Sequence, residues 1–174
     1  MDLEQDRLRI REAQAEDAEL LCRWWNDGTV MAHAGFPNGL GTTPEKIRAE
    51  LKTDQKNHRL IIEIDGVAAG EMSYREKDGK TAEIGIKICD AAKQEKGYGT
   101  RLLRLFLNAL FQNAGFDKVV LDTNLNNTRA QHVYEKLGFQ KLRVNRDSWN
   151  DQLGHPQSSV DYLLKKEQWN TNNE

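Results

Sequence analysis

The order strand, glycine loop, long helix, strand across residues 82–123 constrains this chain more than any other feature. Ala82, Ile84, Ile86 and Ile88 alternate with Glu83, Gly85 and Lys87, the period of two that marks a strand with one apolar face. From Gly97 to Asn113, the residues Leu102, Leu103, Phe106 and Leu110 form an apolar stripe at helical spacing. Lys118 to Thr123 then reads as a second strand. Two strands joined through a helix run parallel and need a crossover, so this segment demands a sheet with a helix packed on it.

The flanking segments add antiparallel strands. Leu8, Ile10 and Glu12 alternate with arginines as a first strand, and Asp17 to Trp25 reads as a helix. A loop rich in glycine and proline follows from Gly28 to Thr43. Thr43-Pro44-Glu45-Lys46 opens a second helix, with proline at its first position, that runs to about Thr53. Leu60 to Ile64 and Val67 to Arg75 form a hairpin around Asp65-Gly66, a strong two-residue turn. Thr128 to Leu137 is a helix stopped by Gly138, and Phe139 to Val144 and Val160 to Leu164 are the last strands. Between those two strands lies a polar stretch of roughly fifteen residues, long enough to suspect function. The expectation is an α/β (α+β mixed) fold: a predominantly antiparallel mixed sheet of about seven strands, a central parallel pair, and helices on both faces. One domain over residues 1–174 accommodates it.

The loop Gln94-Glu95-Lys96-Gly97-Tyr98-Gly99-Thr100 stands between the strand and the long helix. A helix start offers unpaired backbone N–H groups and the positive end of the helix dipole. Two glycines let the backbone turn tightly and approach an anion closely. Lys93, Lys96, Arg101 and Arg104 surround the loop against Glu95 alone. A dinucleotide fingerprint would need a third glycine, and position 102 is Leu. Gly79-Lys80-Thr81 copies the end of a P-loop, but position 74 is Tyr and the segment lies in a hairpin. A glycine pair at a helix start serves equally as a tight turn.

A second motif, Asn127-Thr128-Arg129-Ala130 through Tyr134 to Gly138-Phe139, follows the next strand. Asn127, Ala130 and Tyr134 share one helix face at spacings of three and four. Read by itself, Tyr134 is first a half-buried core tyrosine.

Bulk properties exclude several classes. Net charge is −2, which gives nucleic-acid binding no support. The most apolar run, Leu102 to Phe111, is broken by Arg104 and Asn108 and is too short to span a bilayer. The N-terminal residues lack the basic and apolar regions of a signal peptide, so a cytoplasmic location is expected. Cys22 and Cys89 suggest no disulfide framework, and the four histidines show no spacing suited to metal.

Together the two motifs resemble the GCN-five-related N-acetyltransferase (GNAT) superfamily. The loop matches its Gln/Arg-x-x-Gly-x-Gly/Ala signature, and the second segment its Asn-x-x-Ala-x-x-x-Tyr-x-x-x-Gly-Phe signature. The element order agrees over nearly the whole chain. Trp24-Trp25-Asn26-Asp27 and the long final hairpin resemble the branch that includes ribosomal-protein N-terminal acetyltransferases.

The resemblance implies direct transfer from the cosubstrate acetyl-CoA to an amine in a ternary complex, without metal. It implies CoA contacts from Ile86, Lys87, Ile88, Gln94, Glu95, Lys96, Gly97, Tyr98, Gly99, Thr100, Asn127, Ala130 and Lys136. A backbone N–H near Lys87 or Ile88 is expected to meet the developing oxyanion. Tyr134 stands at the position of the usual general acid. Glu83 stands where many relatives carry a base, although an ion-paired strand glutamate reads as well. Trp24, Trp25, Phe36 and Trp149 are candidates for an amine pocket, since aromatic faces attract cations. More often such residues simply finish a core. The acceptor is a small amine or a peptide N-terminus, with a polyamine- or aminoglycoside-specific enzyme and a catalytically silent acyl-CoA sensor as alternatives. A homodimer is compatible with all of these.

Overall fold

A computed structural model describes residues 1–172. The strands are β1 (Asp2–Gln5), β2 (Leu8–Glu12), β3 (Asn57–Ile64), β4 (Val67–Glu76), β5 (Thr81–Ile88), β6 (Lys118–Asn124), β7 (Gln140–Asn150) and β8 (Pro156–Lys165). They form one sheet in the order β1-β2-β3-β4-β5-β6-β8-β7. Among the described residues only β5 and β6 run parallel; every other pair is antiparallel. The expected mixed sheet with a central parallel pair is therefore present, with eight strands rather than about seven. The additional strand, β1, is short and polar and lies at the sheet edge. Its residues face mostly solvent, so no apolar alternation announces it.

Local chemistry sets the connections. Asp65 and Gly66 both have positive φ, 55° and 75°, the conformation a tight two-residue hairpin turn requires. Asp78 closes the next turn by accepting from the Lys80 and Thr81 N–H groups at 3.0 and 2.7 Å.

The helices are α1 (Ala18–Trp25), α2 (Gly28–Met31), α3 (Pro44–Thr53), α4 (Tyr98–Asn108), α5 (Thr128–Lys136) and α6 (Lys166–Asn172). α4 continues into a π-helical turn, Ala109–Asn113. On one face of the sheet, Leu102, Leu103, Phe106 and Leu110 pack with Ile62, Ile84, Val119, Tyr134 and Tyr162. On the other, Ala18, Leu21, Trp25, Met31 and Ile47 pack on Ile61. Leu60, Ile61 and Ile62 are all fully buried because helices cover both faces of β3.

The final hairpin corrects the expected loop. β7 runs to Asn150 and β8 starts at Pro156, so the connection is residues 151–155. Two register shifts, at Lys141/Arg143 and Asn145/Trp149, interrupt the edge strand β7. Beyond Val144, where the expected strand ended, its polar, irregular sequence hides the strand pattern, and such bulges keep an edge from pairing with other chains.

Candidate active site

The parallel ladder between β5 and β6 holds three residue pairs: Thr81–Lys118, Ala82–Val119 and Glu83–Val120. Past Glu83 the strands part. The backbone groups that face the gap follow from the pleat. Lys77 N–H donates to Thr81 C=O at 2.9 Å and Cys89 N–H to Ala69 C=O at 2.8 Å, so the odd-numbered groups of β5 turn towards β4. The even-numbered groups turn towards β6, as the bonds from the Asp117 and Lys118 N–H groups to Lys80 C=O confirm. The Ile86 and Ile88 N–H groups therefore face the gap. The Lys87 N–H points into the β4 ladder, which narrows the expected oxyanion donor to its neighbours.

Beyond β5 the chain turns through the glycine loop. Gln94 Nε2 donates to Ile88 C=O at 2.9 Å and ties the loop to the strand end. Gly97, the residue before α4, has φ 77°. The first bond of α4 is Arg101 N–H to Gly97 C=O at 3.4 Å, which leaves the N–H groups of Tyr98, Gly99 and Thr100 at the open helix start. A Cβ on Gly97 would meet nothing within 4 Å, and one on Gly99 only Ile88 Cδ1 at 3.8 Å. The protein's own packing does not demand glycine at 99. The open space above it fits a ligand drawn close to the backbone, and the residues present accordingly suit the pyrophosphate of CoA.

Lys96 is exposed, and Tyr98 and Thr100 are half-buried. Lys93 stands over the Tyr98 ring at 6.0 Å. Glu95 adopts φ 59° and pairs with Arg129 at the start of α5, joining the two motifs.

Asn127 caps α5, its Oδ1 accepting from Ala130 N–H at 3.2 Å. The cap fixes the helix that carries Tyr134. Ala130 packs against the core, while Lys136 is exposed. Tyr134 is only 6% exposed. Its ring meets those of Phe139 and Tyr162, each at 5.8 Å between centroids. Burial, and then the charge of Asp122, push its phenol up to about 12. Among the described residues nothing hydrogen-bonds its hydroxyl, so that group is available to a ligand.

Glu83 sits where the ladder ends, with Lys77 Nζ at 2.7 Å from its carboxylate. Trp25 is a buried donor: its Nε1 bonds both oxygens of Glu71 at 3.0 Å. Arg59 lies over its ring at 5.0 Å. It is a structural element rather than an open aromatic wall. Trp24 is half-buried against the same cluster. Phe36 and Trp149, by contrast, approach one another's segments. A Cβ on Gly35 would lie 2.4 Å from the Trp149 ring, and Gln152 N–H donates to Gly35 C=O at 2.8 Å. The loop after α2 and the tip of the final hairpin thus form one wall on the face opposite α4. Sequence reasoning does not single out Glu71 or Asp122, because a lone acidic residue on a strand carries no spacing signal.

The fold as a whole is shared with solved structures named as acetyltransferases. The spermidine N-acetyltransferase from Vibrio cholerae, solved with CoA and spermine, matches with a TM-score of 0.83 at 19% identity, over 95% of this chain and 99% of that one. The chain belongs to the acetyltransferase (GNAT) domain family, whose model matches residues 7–140. In sequence it is 34% identical over 88 residues to spermidine N(1)-acetyltransferase of Escherichia coli, covering 49% of this chain and 47% of that protein. The match thus spans about half the length of that relative. It is 24% identical over 151 residues to aminoglycoside N(6')-acetyltransferase type 1 of Klebsiella pneumoniae, covering 78% of this chain and 75% of that protein.

Proposed function

We propose that the protein transfers an acetyl group from acetyl-CoA to a primary amine of a small polycationic molecule, by direct attack in a ternary complex. The observation that carries this reading is the gap after Glu83–Val120. The Ile86 and Ile88 N–H groups face it, Gln94 ties the loop before α4 to the end of the same strand, and Tyr134 belongs to the core cluster that Ile86 and Ile88 pack against. The relatives named for spermidine and aminoglycosides favour a small polycation over a peptide N-terminus.

Acetyl-CoA supplies the acetyl group as a thioester, a carbonyl carbon that accepts an amine lone pair and a thiolate that leaves. The open start of α4 and the Gly97–Gly99 backbone hold the pyrophosphate. Gln94 keeps that loop against β5. The Ile86 or Ile88 N–H meets the oxygen as charge develops there. Glu83 takes one proton from the acceptor ammonium, directly or through water, because only the neutral amine has a lone pair to give. The C–N bond forms, the C–S bond breaks, and the nitrogen sheds a second proton on becoming an amide. With a phenol at about 12, Tyr134 stays protonated at neutral pH. A thiol titrates near 8.5, so Tyr134 acts chiefly as a hydrogen-bond donor to the departing thiolate. One proton ends on the thiol and one in solution.

The test is CoA release over a panel of polyamines, aminoglycosides and peptides with free N-termini. Release with polycationic amines is expected. Tight acetyl-CoA binding with no release to any acceptor would favour a silent sensor, and release to peptides alone would return the acceptor to the N-terminal branch.

A further inference from the structure

Asp122 lies on β6 two residues past Val120, where the ladder to β5 ends. Val119 and Leu121 are buried on the α4 side, so Asp122 belongs to the opposite face, the one walled by the α2 loop and the hairpin tip. Its direct partner across the β6–β8 ladder is Asp161. Glu83 is in register with Val120, one step back on the same face. Like charges directly opposite one another in a sheet destabilise it.

The three carboxylates are not equally provided for. Lys77 holds Glu83. Arg143 Nε and Asn145 Nδ2 reach Asp161 at 3.0 and 3.1 Å. Among the described residues no side chain donates to Asp122. Asp122 is exposed at the surface of that face; its partial burial, then Asp161 and Glu83, keep its carboxyl above the ordinary range. It is also the charge that bears on Tyr134. Among the described residues no His, Cys, Asp and Glu side chains gather closely enough to hold a metal ion. Charge spread over three strands suits an extended organic cation better than a single ion.

We infer that Asp122 is the specificity-determining residue of the acceptor site: it receives a second cationic centre of the acceptor while the reacting amine enters the gap. The inference rests on the acetyltransferase reading above. A second ammonium relieves the Asp122–Asp161 repulsion, a gain that a monoamine does not offer.

The experiment compares kcat/KM for spermidine with that for a simple alkyl monoamine, in the full chain and in Asp122→Asn. The spermidine-to-monoamine ratio should fall about tenfold, the scale of one charge-assisted contact. Asp122→Glu should restore most of it, which a merely structural role would not. An unchanged ratio in an active, folded Asp122→Asn protein overturns the inference and leaves the proposed activity standing. A wild-type protein that acetylates no amine overturns both.

Discussion

The indole Nε1 of Trp25 donates to both carboxylate oxygens of Glu71, each at 3.0 Å, beneath the α1 face of the sheet. Arg59 Nη1 and Lys87 Nζ add to the same carboxylate at 3.4 and 3.7 Å. Glu71 is 5% exposed, so its removal strands a buried indole and two cations. Glu71→Ala should cost about 3–5 kcal/mol, the range for breaking a buried charge pair. Urea denaturation measures it; a loss under about 1 kcal/mol would mean that water replaces the carboxylate.

Tyr134→Phe should lower turnover by about tenfold or more while acetyl-CoA affinity is kept. Single-turnover CoA release and calorimetry separate the two effects. Unchanged turnover would remove Tyr134 from the chemistry.

The same residue makes stability depend on alkaline pH. Its phenol titrates at about 12 in the fold against about 10 in an unfolded chain. Between those values the unfolded chain has released the proton and the folded one has kept it, so stability falls as pH rises. The contribution is intact below pH 10 and is lost progressively up to about pH 12, on the order of 2–3 kcal/mol. Denaturation of Tyr134→Phe over that range should show a shallower decline. Parallel curves would mean that the phenolate is solvated in the fold.

Gly99→Val should abolish acetyl-CoA binding in a folded protein, because its Cβ meets only Ile88 Cδ1 at an ordinary 3.8 Å. Gly97→Val is a less clean test, since φ 77° strains any branched residue. Circular dichroism with calorimetry reads both; retained affinity in Gly99→Val would contradict the phosphate loop.

Asn127→Ala should cost about 1 kcal/mol through loss of the α5 cap. Turnover should fall more than stability suggests, because that cap sets the helix bearing Tyr134. Normal turnover at a lowered melting temperature would restrict Asn127 to a capping role.

What local sequence encodes, it encoded well. The alternation of Ala82 to Ile88, the Asp65-Gly66 turn, the Thr43-Pro44 start and the stripe from Leu102 to Leu110 each rest on backbone geometry a few residues long. They appear as strand, hairpin, helix start and core face. The glycine loop and the Asn127 to Phe139 motif likewise read as site elements because their spacing is local. Elements without an apolar period stayed hidden: β1 at the edge, α2 inside a glycine-rich loop, and the bulged outer half of β7 beyond Val144.

Tertiary structure decided the rest. Trp25 reads from sequence as a pocket aromatic, yet Glu71, 46 residues away, makes it a buried donor. Lys87 and Ile88 are neighbours in the chain, but pairing with β4 turns one N–H into the ladder and leaves the other facing the gap. Asp122 has no meaning until Asp161 is set opposite it and β5 has swung away. Periodicity fixes which face a residue takes; only the partner strand fixes which of its polar groups are spoken for and which are left to bind.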